Sequence, residues 1–507
     1  MEAQKIKSVV ILGGGSAGWM TAASLIHVLP TNCDITLIES DDIGTVGVGE
    51  ATIPPIKEFN TRLGIDEKEF LRATKGTFKL GIEFVDWTRK GHSYGHMFGQ
   101  FGPGFDYVPL FQYWLKSKSE GNDLPLDAYS MAWALSQSNK FDKPQNGYGN
   151  IMSTYDYAYH FDAGLYANFL KEKAIKAGIK RIEGIVASSD VDQKTSIINS
   201  LTLEDGETIS ADFFIDCSGF KGVLIQDALH SGYTDWTHYL PCDSAVAVPS
   251  EHTGPIPPLT KSTAREAGWQ WKIPLQHRVG NGYVYSSKFI SDEEAKATLL
   301  DNVDGKLLAE PRVIKYTTGH RNQPWKGNCL AIGLSSGFLE PLESTALQLI
   351  QSAIYRFISL FPKNNMDGLS AFEYNKRTIE EYNTVKDFII LHYHATERDD
   401  TQFWQMVSNM DIPESLKYRL DQFKNRGHII FSKDELFGLD NWMSVLIGQN
   451  VTPDTYDPIV DMRENVDYQK FMKDIKHAID ESAKIAPTHE DFLKSYCKKD
   501  TGIYISR

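Results

Sequence analysis

An α/β fold that opens on a Rossmann-like unit and closes on helices is predicted by three observations. The apolar run Ser8-Val9-Val10-Ile11-Leu12 ends in Gly13-Gly14-Gly15-Ser16-Ala17-Gly18. A helical pattern over 16–29, closed by Pro30, leads to Asp34-Ile35-Thr36-Leu37-Ile38-Glu39, a second strand ending in an acid. Strand-like alternation recurs through 182–191, 195–203, 209–215 and parts of 243–323, and beyond Leu369 the pattern turns mainly helical.

The first β-α-β unit carries a ligand signature. Gly13-x-Gly15-x-x-Gly18 sits between strand and helix, where glycine permits the tight turn and the close approach of a pyrophosphate. The helix start at Ser16 and Ala17 supplies amide donors and a positive dipole end. Glu39 stands where an acid accepts ribose hydroxyls, so a dinucleotide cofactor is expected.

Other segments read less regularly. Residues 44–55 are rich in Gly, Thr and Pro and read as loop; 66–75 read as helix and 78–84 as strand. Residues 90–150 hold many Gly, Pro, Tyr and Phe and read as an irregular lid or binding loop. Helices are expected over 164–177 and 345–361. The C-terminus ends in a basic tail at Lys498-Lys499.

Bulk composition excludes several classes. The chain has 507 residues, 23% charged and 41% hydrophobic, which suits a globular protein of one large or several ordinary domains. A net charge of −14 argues against nucleic acid or an anionic membrane surface as partner. Five scattered cysteines with no C-x-x-C pair argue against a disulfide framework and a zinc site, and fit a reducing, cytoplasmic compartment. No run approaches the roughly 18 apolar residues of a membrane span, and no cleavable signal is read at the N-terminus. Aromatic residues make up 12%, which suits an aromatic-lined pocket or simply a large core.

Three further stretches carry chemistry. In Phe78-Lys79-Leu80-Gly81-Ile82-Glu83-Phe84 the even positions are apolar, and Lys79, Gly81 and Glu83 fall on the other face of one strand. Taken alone, that is a half-exposed strand with a weak surface pair. In Trp269-Gln270-Trp271-Lys272-Ile273-Pro274 two tryptophans share a face of an extended segment. Glu340-Pro341-Leu342-Glu343-Ser344-Thr345 precedes an amphipathic helix with Leu347, Ile350, Ile354 and Phe357 at helical spacing, which Ser344 or Thr345 can cap.

Together with the glycine loop, these stretches resemble the flavin-dependent halogenases of the tryptophan-halogenase type, from Val9 to about Pro458. The resemblance implies FAD as the cofactor, used as FADH2, with a halide ion. It implies a Rossmann-like, aromatic-hydroxylase-like FAD module with an inserted sheet over 1–368 and a mainly helical cap over 369–507. It places FAD at Gly13, Gly15, Ser16, Ala17, Gly18, Glu39, Gly49, Ala51, Leu334 and Leu347, and halide at Thr345 and Ala346. Many relatives have glycine where this chain has Ala346. Lys79 takes the role of handling hypohalous acid, by hydrogen bonding or as a haloamine, and Glu343 that of positioning Lys79 and accepting the ring proton. Glu340 is the rival carboxylate. Trp269 and Trp271 wall the flavin from a substrate pocket that includes His96, Phe98 and Trp442.

Two departures bear on activity. The late strand Asn328-Cys329-Leu330-Ala331-Ile332-Gly333 continues into Leu334 where hydroxylases of this fold carry Asp. The paired tyrosines and glutamate that grip free tryptophan in the family are missing, and Phe437-Gly438-Leu439-Asp440-Asn441-Trp442 stands in that region. An indole, phenol or larger aromatic is therefore the expected substrate. Bromide, easier to oxidise and desolvate, is expected to serve at least as well as chloride. With no second nucleotide fingerprint, a separate NAD(P)H-dependent flavin reductase is the implied partner. No metal is expected, and the oligomeric state stays open, homo-oligomer included. An FAD aromatic monooxygenase and a non-catalytic flavin sensor are the alternatives.

Overall fold

Val9, Val10 and Ile11 are at most 2% exposed, and this run forms the strand Ser8–Leu12 near the centre of a six-stranded sheet. The order across that sheet is Trp325–Lys326, Cys329–Ala331, Phe213–Asp216, Ser8–Leu12, Asp34–Glu39 and Lys180–Glu183. All neighbours pair in parallel except the outermost pair at Trp325–Lys326. Strands covered on both faces read as unbroken apolar runs, which is why this module is visible in the sequence. The helix Ser16–Val28 follows the first strand as predicted. The computed structural model describes residues 6–498 apart from 30, 44–48, 106, 148, 366, 433–434 and 464–466. Pro30, the first half of the expected 44–55 loop, and Lys499 lie outside the described residues.

A second sheet of seven strands stands beside this module, in the order Arg312–Lys315, Ser244–Ser250, Val279–Tyr285, Gly268–Pro274, Thr260–Arg265, Gly81–Val85 and Ser93–Met97. The tryptophan motif occupies its middle strand. Gly282 lies across from Trp271 in the register, and a Cβ there would come within 2.0 Å of the Trp271 ring. The indole occupies the space that a side chain at Gly282 would take.

Four expectations are corrected. The single strand over 78–84 is two strands: Thr77–Lys79 pairs with Ala158–Asp162, and Gly81–Val85 joins the seven-stranded sheet. The chain changes sheets at Leu80, where Gly81 abuts the backbone of His96 at a distance that leaves a Cβ only 2.5 Å from the carbonyl oxygen. Lys79 and Glu83 therefore do not share a face. Lys79 is fully buried, whereas Glu83 pairs with Lys261 at 3.2 Å.

The stretch 90–150 is more regular than its composition indicates. It contains the strand Ser93–Met97 and the helices Leu110–Ser119 and Met131–Gln137, because its aromatics, such as Phe111, Tyr113 and Trp114, are core residues. Within the expected 44–55 loop, Gly49–Ala51 is a strand that gains its partners from Ala158–Asp162. Among the strands of 243–323 sits the helix Asp292–Asp301, closed at its start by a capping box of Ser291 and Glu294.

The helix Ala346–Ser359 follows the Glu-Ser-Thr element. From Gly368 onward the chain is helical, beginning with the 27-residue helix Gly368–His394 and ending with His489–Tyr496. Among the described residues no helix is long and apolar enough to cross a membrane, and no cluster of three His, Cys, Asp or Glu could hold a metal ion.

Gly282→Ala is expected to lower unfolding free energy by about 1–3 kcal/mol, the usual effect of overpacking a filled core. Urea titration of the purified variant measures it, together with a change in tryptophan fluorescence as Trp271 is displaced.

Candidate active site

A cavity of about 840 Å³ opens where the glycine loop, the second strand and the Ala346–Ser359 helix meet. Of the residues expected to hold a dinucleotide, Gly13, Gly15, Ser16, Ala17, Glu39, Gly49, Ala51, Leu334 and Leu347 line it. Gly18 does not; it packs on the carbonyl of Gly13, with room for no Cβ. The cradle fits FAD. The helix Ser16–Val28 starts at Gly15 with no side-chain cap and no acid in its first turn, so its amides are available to phosphate oxygens. Nothing lies within 4 Å of the point a Gly15 Cβ would occupy.

Glu39 lines the cavity but is not a free acceptor. Its Oε1 pairs with Lys171 and Arg181, both at 2.6 Å, and its Oε2 accepts from Trp19 Nε1 at 3.1 Å. Burial acts to raise its pKa, but these three donors outweigh that and lower it. Ribose hydroxyls would meet a carboxylate already oriented by two cations.

Trp269 and Trp271, with rings 6.2 Å apart, form part of the cavity wall. Ser344 also lines the cavity, and its Oγ accepts a hydrogen bond from Lys79 Nζ at 2.8 Å. The same ammonium donates to the carbonyl of Thr52 at 3.0 Å and lies 5.1 Å from the Phe98 ring centroid. Burial lowers the Lys79 pKa to about 7, against the opposing pull of Glu343.

The capping expectation is corrected here. Ser344 adopts a left-handed conformation, φ +58°, and its hydroxyl serves the lysine. Thr345 stands at the N-cap position of the following helix without a side-chain cap bond, and its buried Oγ1 has no protein partner. Ala346 lines the cavity, with the fully buried Thr345 just before it.

Glu343 is held by two histidines. His96 Nδ1 is 2.8 Å from Oε2, and His392 Nε2 is 2.7 Å from Oε1. The Asn441 amide fixes the first of these. Its Oδ1 accepts from the Gly438 amide at 2.8 Å, so its Nδ2 donates to His96 Nε2 at 3.0 Å and leaves the His96 proton on Nδ1, facing Glu343. His392 Nδ1 donates to the Phe388 carbonyl at 2.9 Å. Burial would raise the Glu343 pKa, but the histidines more than reverse this and bring it to about 2. Glu343 thus reaches Lys79 through its field, while Ser344 and Thr52 make the contacts.

Glu340 goes the other way. Burial raises its pKa to about 8, although the Tyr393 hydroxyl donates to it at 3.0 Å. Two carboxyls three residues apart are pushed to opposite protonation states at neutral pH, the pattern that separates a base from an acid.

His96 belongs to an aromatic group with Phe388 and Phe437, which stack at 4.0 Å; Trp442 meets Phe388 edge-on at 5.1 Å. Of the Phe437–Trp442 stretch, Asn441 reaches His96 while Trp442 packs behind. Thr52, His392 and Asn441 belong to none of the motifs that mark the site in the sequence. His392 had a signal of its own, a polar residue inside Phe388-Ile389-Ile390-Leu391-His392-Tyr393.

The sequence profile described as tryptophan halogenase matches residues 8–465. The chain belongs to the tryptophan halogenase family. A tryptophan 6-halogenase of Streptomyces toxytricini, SttH, is 37% identical over 447 residues, covering 84% of this chain and 85% of that protein. The structures of Xcc4156 from Xanthomonas campestris and BrvH from Brevundimonas sp. BAL3, both flavin-dependent halogenases, each superpose with a TM-score of 0.93 at 41% identity. In each case 97% of this chain and 99% of the other are covered. This halogenase is accordingly an enzyme that works with reduced flavin, and its Rossmann-like module is the family's FAD-binding fold.

One consequence concerns stability. Because burial lowers the Lys79 pKa from 10.5 to about 7, the unfolded chain holds an extra proton between these values, and Lys79 contributes stability that rises with pH across that window. Lys79→Met should therefore be more stable than wild type by roughly 2–4 kcal/mol at pH 7. The gap should close as pH approaches 10.5. Denaturant titrations at pH 7, 8.5 and 10 test this.

Proposed function

We propose that this halogenase places a halogen on an electron-rich aromatic of indole or phenol type, with Lys79 delivering hypohalous acid. The observation that carries the reading is Ser344, which lines the cofactor cavity and binds the Lys79 ammonium. One residue separates the oxidising compartment from the delivering group. Bound FAD, in reduced form, supplies the electrons with which O2 and halide yield hypohalous acid.

The chain's own groups do the rest. Backbone at Thr345 and Ala346, at the start of a helix, holds the halide. Trp269 and Trp271 deny the substrate direct access to the flavin. The Lys79 ammonium, with two N–H bonds committed to Thr52 and Ser344, uses its third to hold the HO–X oxygen and draw electron density from the halogen. Glu343, ionised between His96 and His392, accepts the ring proton at Oε1 or Oε2. His96 and Phe98 line the substrate side, with Trp442 behind.

We divide the chain at 368/369 on this reading. Residues 1–368 bind flavin and halide, and 369–507 close the substrate side through His392 and Asn441. A separate NAD(P)H-dependent reductase supplies the reduced flavin. Bromide serves at least as well as chloride, since desolvating it at Ala346 is easier.

The test combines the protein with FAD, a flavin reductase, NADH and equimolar chloride, bromide and iodide over a panel of indoles and phenols, read by mass spectrometry. A halogen mass shift, with bromide product at least equal to chloride product, is expected, and Lys79→Ala should lose about 10²–10³-fold, the scale of removing a preorganised donor. Gain of one oxygen whatever the halide would instead establish a monooxygenase, and flavin binding without product on any aromatic would favour the sensor. Since the ammonium form is lost as pH rises through about 7, halogenation by wild type should fall on the alkaline side of that value. A rate that climbs there would instead assign the haloamine route.

A further inference from the structure

Lys79 lies on a strand of three residues, Thr77–Lys79, at the edge of the sheet formed with Ala158–Asp162 and Gly49–Ala51. So short an edge strand holds little by itself. Its outward amide, Phe78 N–H, points away from the sheet and would be an orphan in the core. It donates instead to Nε2 of His489, at 3.1 Å, from the last described helix, His489–Tyr496. That helix lies beyond residue 465, where the match to the family profile ends.

His489 is fully buried and fixed at both nitrogens. Its Nδ1 donates to the carbonyl of Ile256 at 2.9 Å, so the neutral ring presents its lone pair to Phe78. Burial lowers its pKa to about 4, with the Ile256 bond opposing, so the acceptor persists at working pH.

The neighbouring Glu490 accepts from the Ile256 amide at 3.2 Å, and two residues on, the Pro258 carbonyl accepts from Leu80 N–H at 2.7 Å. The helix thus holds the chain on both sides of Lys79. The Phe78 ring stacks on Phe141 at 4.2 Å and meets Phe492 and Tyr496 edge-on, both from the same helix. Tyr496 secures the far end by donating to Glu67 at 2.5 Å.

We propose that His489 is a positioning residue for halogenation, and that the C-terminal helix it opens is a clamp which holds the Lys79 strand in register with Ser344. The proposal rests on the assignment of Lys79 above. It acts through backbone: releasing Phe78 frees the strand to drift, and the lysine then leaves Ser344 and meets water.

The test compares full-length His489→Leu, which removes the acceptor, with His489→Gln, which keeps one. Three quantities are read: hydrogen exchange of the peptide containing Phe78, flavin affinity by fluorescence, and the pH dependence of kcat. In His489→Leu, exchange at Phe78 should quicken at least tenfold, kcat should fall at least tenfold with flavin affinity unchanged, and the alkaline limb should move upward as water reaches Lys79. His489→Gln should recover all three.

A leucine variant that exchanges fast at Phe78 yet keeps wild-type kcat and limb would overturn the proposal, leaving His489 as packing alone. So would slow exchange at Phe78. Should the leucine variant not fold, Tyr496→Phe, which loosens the helix from its other end, is judged by the same three readouts. Halogenation that survives Lys79→Ala would sink the lysine assignment instead, and that variant keeps the Phe78 exchange measurement intact.

Discussion

An ammonium with no exposure to water is the constraint around which this enzyme is arranged. An isolated buried charge is costly, so Lys79 persists only where its donors are met and its charge is answered. Ser344 and Thr52 meet the donors, and an ionised Glu343 supplies the opposing field. Each of these carries its own requirement. Ser344 must occupy a left-handed conformation, a strain of the order of 1 kcal/mol that functional sites commonly store. Glu343 must be kept ionised in the interior, which takes two histidines from distant parts of the chain.

The two glutamates of one short motif show how environment divides labour. Glu343 and Glu340 share sequence neighbourhood and complete burial. The first faces imidazoles and the second faces the Tyr393 hydroxyl and the Trp269 indole, and their proton affinities separate accordingly. An ionised and a neutral carboxyl thus coexist three residues apart.

What was legible in the sequence was local. The β-α-β opening announced itself because strand, glycine turn, helix and acid lie within forty residues and each obeys its own periodicity. The tryptophan strand and the Glu343 element were legible for the same reason. The break at Leu80 was not, since alternation in 78–84 is unchanged whether its two halves serve one sheet or two. The hydroxyl of Ser344 looked like a helix cap because spacing carries no record of a left-handed turn. His392 and Asn441 act on residues roughly 50 and 350 positions earlier, a juxtaposition that only the folded chain creates. The regular structure within 90–150 was hidden because aromatics that bury against distant helices look, in one dimension, like those of a loop.

The change of sheets at Leu80 has a consequence for how such enzymes diversify. Lys79 is mounted on a small sheet with Gly49–Ala51, while His96, Trp269 and Trp271 ride on the large one. Under the proposed function, recognition and reactivity are therefore built on separate sheets that the chain joins at Leu80. On that reading, mutations that reshape the outer strands of the large sheet alter which ring is admitted and which carbon is presented, while Lys79 stays where it was. A scaffold of this kind can be retuned for new aromatics without relearning its chemistry.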